Sequence, residues 1–544
     1  MTDSPGFPME VVDPADLARS WERDDMHMPF AMTPLAADYI TTTLGRSFDH
    51  HWERFGGSQR IEPRVWHGYA YFNFESHAPS DEAKAAGERW TEVLRSRVPA
   101  THEYWETEAR PELGRLYASI EAVAVDELAP AELVRAWDEA WSTTLRAWQI
   151  HFVTIMGPYQ VLEDLSDLYA TALGAGRDVE ALSLIRGQEH ELEDVEARIE
   201  VLAGMLRADP ELTDAVGVAA ERPGDEGAID RDTLRAVPGG PEFVAALDAF
   251  LQLHGHLGQT HDDLGLASWA EAPAALLANL VRRVPTNQPP VGARLAELRR
   301  AAAERTAAAR AALADRPDEL ARFETVLEQA LEIGYLTEGH NYWIDRMAQA
   351  RLRTLVTRVA RRLVREGVLA RAADVWLLGR AEIATALVDG APRHALVRER
   401  ADILAWQRTL EPPRWIGPVP DDTGPSDRFD TVRIESTEPD ELRGTGSSAG
   451  VVRGPARVVL SQDDFGRVQP GDIIVCPSSN PSWVPVFTIA GGLVTNTGGV
   501  LSHAAVVARE FGLPAVTGVV GATTKIRPGR LVEIDGTAGT VRLL

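Results

Sequence analysis

Between residues 80 and 410 apolar side chains recur three and four positions apart, whereas after residue 442 they fall into short runs of Val, Ile and Leu between turn formers. One packing solution cannot serve both patterns, because the first buries stripes of helices and the second buries the faces of a sheet. The stretch between them, 411–442, carries Pro412, Pro413, Pro418, Pro420, Pro425 and Pro439 among acids and reads as a hinge linker. At 544 residues the chain is also too long for a single core. The expected organisation is multidomain: a large mainly α-helical domain over 1–410, the linker, and a small α/β domain over 443–544.

Val291 to Ala314 and Ile344 to Gly367 are the clearest helices; the second has a stripe of Ile344, Met347, Leu352, Leu355, Val356, Val359 and Leu363, and Gly367 suits its end. Val65 to Phe74 breaks the helical pattern and reads as a strand or hairpin arm. In the C-terminal part strands are expected at Val451–Leu460, Asp472–Val475, Leu493–Thr495, Leu531–Ile534 and Thr540–Leu543, with one helix near Ser502–Phe511.

A net charge of −26 argues against nucleic acid as a partner, since a phosphate backbone demands clustered positive charge. No apolar run long enough for a membrane span and no leader are visible, so a membrane partner is not expected either. Cys476 is the single cysteine, which excludes an intrachain disulfide and fits a cytoplasmic setting. Of the 55 basic residues only Lys84 and Lys525 are lysines, so no Gly-x-x-x-x-Gly-Lys phosphate loop exists. Gly444-Thr-Gly-Ser-Ser-Ala-Gly450 has the wrong spacing for one.

The most informative stretch is Leu493 to Val516, where a buried strand ends at Thr495, a Gly498-Gly499 turn follows, and a helix starts with His503 in its first turn. Glycines allow backbone N–H groups close to an oxyanion, and a helix start adds unpaired N–H donors and a positive partial charge. A neutral imidazole is nucleophilic near pH 7, so His503 suits a phosphoryl carrier; the plainer alternative is a histidine that merely caps the helix.

Several blocks in order bear on that choice: Ala449-Gly-Val-Val-Arg-Gly-Pro-Ala-Arg457, Gly471-Asp-Ile-Ile-Val475, Asn480-Pro-Ser-Trp483, Thr497-Gly-Gly-Val-Leu-Ser-His-Ala-Ala505, Ala508-Arg-Glu510, Pro514-Ala-Val516 and Asp535-Gly-Thr-Ala-Gly539. Together they resemble the phosphohistidine swivelling domain of phosphoenolpyruvate-utilising, dikinase-like enzymes. The resemblance implies that His503 is the phosphorylated catalytic residue, with Thr497, Gly498, Gly499, Ser502 and Arg509 around the phosphate. Leu501 stands where dikinases carry a threonine, which looks more like the antibiotic-phosphotransferase branch.

The helical region is similar, more thinly, to the substrate-binding part of rifampicin phosphotransferase and of phenylphosphate synthase, through Phe250-Leu-Gln-Leu-His-Gly-His256 with Trp269-Ala-Glu-Ala-Pro273, Glu338-Gly-His-Asn-Tyr-Trp-Ile-Asp345, and Asp374-Val-Trp-Leu-Leu378. Thr337 and Asn341 replace an Arg and a Lys of that pattern. His340 is then the natural base for an acceptor hydroxyl, oriented by Asp345 or Glu338, with packing as the alternative. The resemblance places His254 and His256 in the substrate pocket. His254, His256 and His261 lack a matching carboxylate pair, so no metal is expected. Trp66, Tyr69, Tyr71, Phe72 and Phe74 suit either an apolar acceptor pocket or, more simply, a core.

Neither a phosphoenolpyruvate-binding barrel nor an ATP-grasp domain is recognisable before Leu544. The expectation is a phosphotransferase component whose His503 is charged by a separate ATP-grasp subunit holding ATP and Mg²⁺, no cofactor being expected on this chain, and which passes the group to a hydroxyl of a small, apolar or aromatic acceptor. Rival readings are a pyruvate or phosphoenolpyruvate dikinase-like component and a non-enzymatic phosphocarrier module.

Overall fold

The computed structural model describes residues 7–9, 12–76, 80–174, 178–188, 191–221, 228–258, 263–285, 290–420, 440–460 and 462–544. Its mainly helical N-terminal region and small C-terminal sheet domain bear out the expected fold class. The compact units cut across the expected 1–410 region, however. One unit comprises Met1–Gly157, Asp262–Leu266 and Trp343–Thr423; the other comprises Pro158–His261, Ala267–Tyr342 and Gly424–Leu544.

The first unit contains a four-stranded antiparallel sheet of β1 (Trp21–Arg23), β2 (Gln59–Trp66), β3 (Tyr69–Ser76) and β4 (Trp415–Ile416), in the order β2-β3-β1-β4. The β2–β3 hairpin turns on His67 (φ 50°) and Gly68 (φ 80°), both left-handed as a tight two-residue turn between twisted strands requires. Trp66, Tyr69 and Tyr71 pack with Trp21 and Ile416, and Phe72 joins the helical core, whereas Phe74 is exposed. Trp66, Tyr69, Tyr71 and Phe72 are thus core, the simpler of the two readings, and Phe74 fits neither. The helical core of this unit gathers Tyr39, Trp137, Trp141, Trp148, Leu352, Val356 and Val359, with much of the expected 344–367 stripe on it. His51 is fully buried among the rings of Phe48, Trp52, Phe55 and Trp90, with centroids 5.1 to 5.9 Å away.

The second unit carries an eight-stranded sheet. Its strands are β5 (Glu441–Arg443), β6 (Thr445–Ser448), β7 (Val451–Val458), β8 (Ile473–Cys476), β9 (Gly492–Thr495), β10 (Ala515–Thr517), β11 (Leu531–Asp535) and β12 (Thr540–Leu543), in the order β5-β12-β11-β7-β8-β9-β10-β6. The central run β7-β8-β9-β10 is parallel and the flanks are antiparallel. Ile473, Val475, Val494 and Val516 are wholly buried, as strands covered on both faces must be. Helices Glu191–Ala208, Pro210–Glu221, Gly240–His254, Ala274–Arg283, Val291–Ala312 and Pro317–Ile333 make up most of the rest of this unit.

Both flanks of the expected linker are structured, since β4 lies in one sheet and β5 in the other; residues 421–439 lie outside the described residues. Lys84, on helix Ser80–Arg97, and Lys525, closing helix Ala522–Lys525, are both exposed. No helix among the described residues is long and apolar enough to cross a membrane.

Candidate functional site

The strand β9 ends at Thr495, whose hydroxyl donates to the Thr497 carbonyl at 2.7 Å; the Thr497 hydroxyl in turn donates to the Pro477 carbonyl at 3.1 Å. Gly498 then adopts φ 105°, and a Cβ there would fall 2.7 Å from Ser502 Oγ, so the turn excludes any side chain. Ser502 caps the helix His503–Glu510: its hydroxyl accepts from Ala505 N at 3.4 Å and donates to the Gly499 carbonyl at 2.8 Å. The hydroxyl protons of Thr497 and Ser502 thus point to carbonyls, and both side chains brace the turn. The cap and the glycine between them set His503 at the first helical position.

The His503 ring is 7% exposed, and its Nδ1 is hydrogen bonded to Glu338 Oε2, a carboxylate that is itself 3% exposed. A carboxylate only accepts, so Nδ1 carries the proton and the lone pair lies on Nε2. Among the described residues, His503 Nε2 and Glu338 Oε1 are buried without a hydrogen-bond partner. The result is a histidine of fixed tautomer, a buried nucleophilic nitrogen, and an anion placed to stabilise positive charge on the ring.

Glu338 lies on the wholly buried turn Leu336–His340. Sequence reasoning set it beside His340 as an orienting group; the structure sets it on His503, while His340 Nδ1 is 2.6 Å from the Leu336 carbonyl and held by it. The Thr337 hydroxyl donates to Gly334 O at 2.7 Å. Asp345 belongs to the first unit, where its carboxylate is 2.6 Å from His151 Nδ1. Arg509 is buried and donates to the Ser447 carbonyl at 3.0 Å, tying the helix to β6. Burial, with the like charge of Arg186 added, pushes its guanidinium down to about 9, against the pull of Glu510 and Glu338. Its observed bond is therefore to the fold, not to the His503 ring.

His254 and His256 are buried near one phenol. His254 Nδ1 is 2.8 Å from Tyr342 Oη and its Nε2 is 2.9 Å from Asp194 Oδ2; the His256 ring meets the Tyr342 ring edge-on at 4.5 Å. Burial lowers the His254 pKa, and the Asp194 carboxylate opposes that. His261 lies outside the described residues. Asp194 and Tyr342 escaped sequence reasoning. The one available signal was the four-residue spacing that puts Glu338 and Tyr342 about one turn apart.

Comparison with known proteins places two regions. Residues 468–539 match the mobile domain of PEP-utilising enzymes, and residues 151–335 match the fourth domain of rifampicin phosphotransferase. A chondramide synthase of Chondromyces crocatus is 30% identical over 99% of this chain and 14% of its own length. An uncharacterised phosphotransferase of Bacillus subtilis is 22% identical over 98% of this chain and 63% of its own. A rifampicin phosphotransferase of a Streptomyces species is 34% identical over 63% of this chain and 39% of its own. The chain thus spans less than two thirds of each of these relatives.

Proposed function

We propose that this chain, whose residues 468–539 match the mobile domain of PEP-utilising enzymes and whose residues 151–335 match the fourth domain of rifampicin phosphotransferase, is a phosphotransferase component that takes a phosphoryl group on His503 Nε2 and passes it to a hydroxyl. The observation that carries this reading is the buried pair in which Glu338 holds Nδ1 and leaves Nε2 as the nucleophile. Nε2 attacks the donor's terminal phosphorus, the bond to the donor's bridging oxygen breaks, and the ring becomes a cation that the Glu338 carboxylate faces. The glycine turn and helix start present backbone N–H groups to the phosphoryl oxygens. Transfer onward breaks the N–P bond and returns the electron pair to Nε2.

On this reading the donor is ATP with Mg²⁺ held by an ATP-grasp domain on a separate subunit, the described residues before the linker being mainly helical where an ATP-grasp fold needs two sheets. The acceptor is a small apolar or aromatic alcohol or phenol, a class in keeping with the likeness to rifampicin phosphotransferase. The test mixes the chain with labelled ATP and a candidate ATP-grasp protein. Acid-labile, base-stable label on the wild type and none on His503→Ala is expected; equal labelling of the two overturns the assignment. Labelling by ATP without a second protein overturns the separate subunit.

A further inference from the structure

Resting on the carrier role of His503, we infer that Asp194, His254 and Tyr342 form a proton relay that deprotonates the hydroxyl attacking phospho-His503. The three side chains make one hydrogen-bonded line: Asp194 Oδ2 to His254 Nε2 at 2.9 Å, and His254 Nδ1 to Tyr342 Oη at 2.8 Å. His254 is 3% exposed and Tyr342 is 5% exposed, so the line runs through the interior and opens to water at Asp194, which is half exposed. A carboxylate at Nε2 fixes the proton there, which leaves the His254 lone pair on Nδ1, aimed at the phenol. The hydroxyl of Tyr342 can then donate to His254, with the Leu253 carbonyl at 3.2 Å as a second resting acceptor.

Glu338 and Tyr342 are four residues apart on one continuous helical segment, so their side chains leave the same side of it about one turn apart, and Glu338 is the residue that holds His503. Glu191 Oε2 would stand 3.5 Å from a Cβ on Gly339, the residue after Glu338. In the transfer step the acceptor oxygen bonds to phosphorus as the N–P bond breaks onto Nε2. The acceptor's proton passes to Tyr342 Oη, the Tyr342 proton passes to His254 Nδ1, and the resulting imidazolium faces Asp194. His254 must be neutral to act, and burial favours that form by holding its pKa below the ordinary histidine value, with Asp194 opposing, Arg198 lowering it further and Glu191 raising it.

The test loads His503 directly with phosphoramidate, so that no ATP-using partner is needed, and follows loss of the phosphoryl group to water and to phenol. Mass spectrometry locates the label, and His503→Ala supplies the background. Tyr342→Phe, which keeps the ring, and Asp194→Asn, which keeps the shape, are each expected to slow the loss about tenfold near pH 7.5. The excess of wild type over Tyr342→Phe should vanish as pH falls through the titration of His254, a change that a packing defect would not produce. Wild-type rates and an unchanged pH profile in Tyr342→Phe overturn the relay and leave the carrier standing. Absence of label from His503 in the wild type overturns the carrier itself, and the relay with it.

Discussion

A carboxylate against Nδ1 decides which imidazole nitrogen holds the proton, and at His503 that decision comes from Glu338, 165 residues away in the chain. Glu338→Gln keeps a hydrogen-bonding side chain but removes the charge that, in the proposed transfer, would face a phosphorylated ring. It should slow phosphoramidate loading of His503 by about tenfold or more, with the thermal midpoint nearly unchanged in a melting experiment. Gly498→Ala acts through the backbone: a φ of 105° and a Cβ 2.7 Å from Ser502 Oγ force the turn to reopen. The cost is about 1–3 kcal/mol in a denaturant titration, and loading of His503 should fall by more than stability alone explains, because the helix start moves. Sequence made the glycine turn legible, since its chemistry is local. The Glu338 contact was not legible, because nothing in the block around 338 specifies which distant imidazole will meet it.

Elements divided along the same line. The parallel strands β8 and β9 and the helix at His503 were readable from apolar runs and a cap signal. Strand β6, with the sequence Thr-Gly-Ser-Ser, is not among the strands expected from the sequence because it has no β-branched alternation. It pairs with β10 nonetheless, and the turn after β11 closes against it: a Cβ on Gly446 would meet Thr537 O at 2.7 Å and one on Gly536 would meet Ser448 O at 1.9 Å, so close backbone approach replaces side-chain packing there. The helix Ala274–Arg283 shows how much a single ion can bind together. Arg283, with a wholly buried side chain, donates to Glu196 at 2.6 and 3.0 Å, to Glu200 at 3.1 Å and to Thr488 Oγ1 at 2.9 Å. Arg283→Met leaves the buried Glu196 carboxylate uncompensated and should cost about 3–5 kcal/mol, read as a lower denaturant midpoint.

At the scale of the molecule, two units with separate apolar cores predict two calorimetric transitions, one moved by Arg283→Met and the other by changes around His51. Burial among aromatic rings pushes the His51 pKa down to about 3 from 6.5. Between those values the unfolded chain binds a proton that the folded one does not. Stability of the first unit therefore falls as pH drops from 6.5 toward 3, by about 1.4 kcal/mol per pH unit, and this contribution is level above 6.5. His51→Phe should reduce that slope in melts at pH 7 and pH 5 and leave the share of His151, whose pKa burial lowers likewise, and an unchanged slope would show that His51 does not contribute to it.

The near-absence of lysine has a practical outcome as well. Lys84 and Lys525 are the two side-chain amines of the whole sequence, both exposed, one on each compact unit. Amine-reactive dyes would therefore reach one side chain on the unit bearing His503 and one on the other, without any engineered attachment point, a backbone α-amine being their remaining kind of target. Energy transfer between the two dyes would report any change in the distance between the labelled side chains.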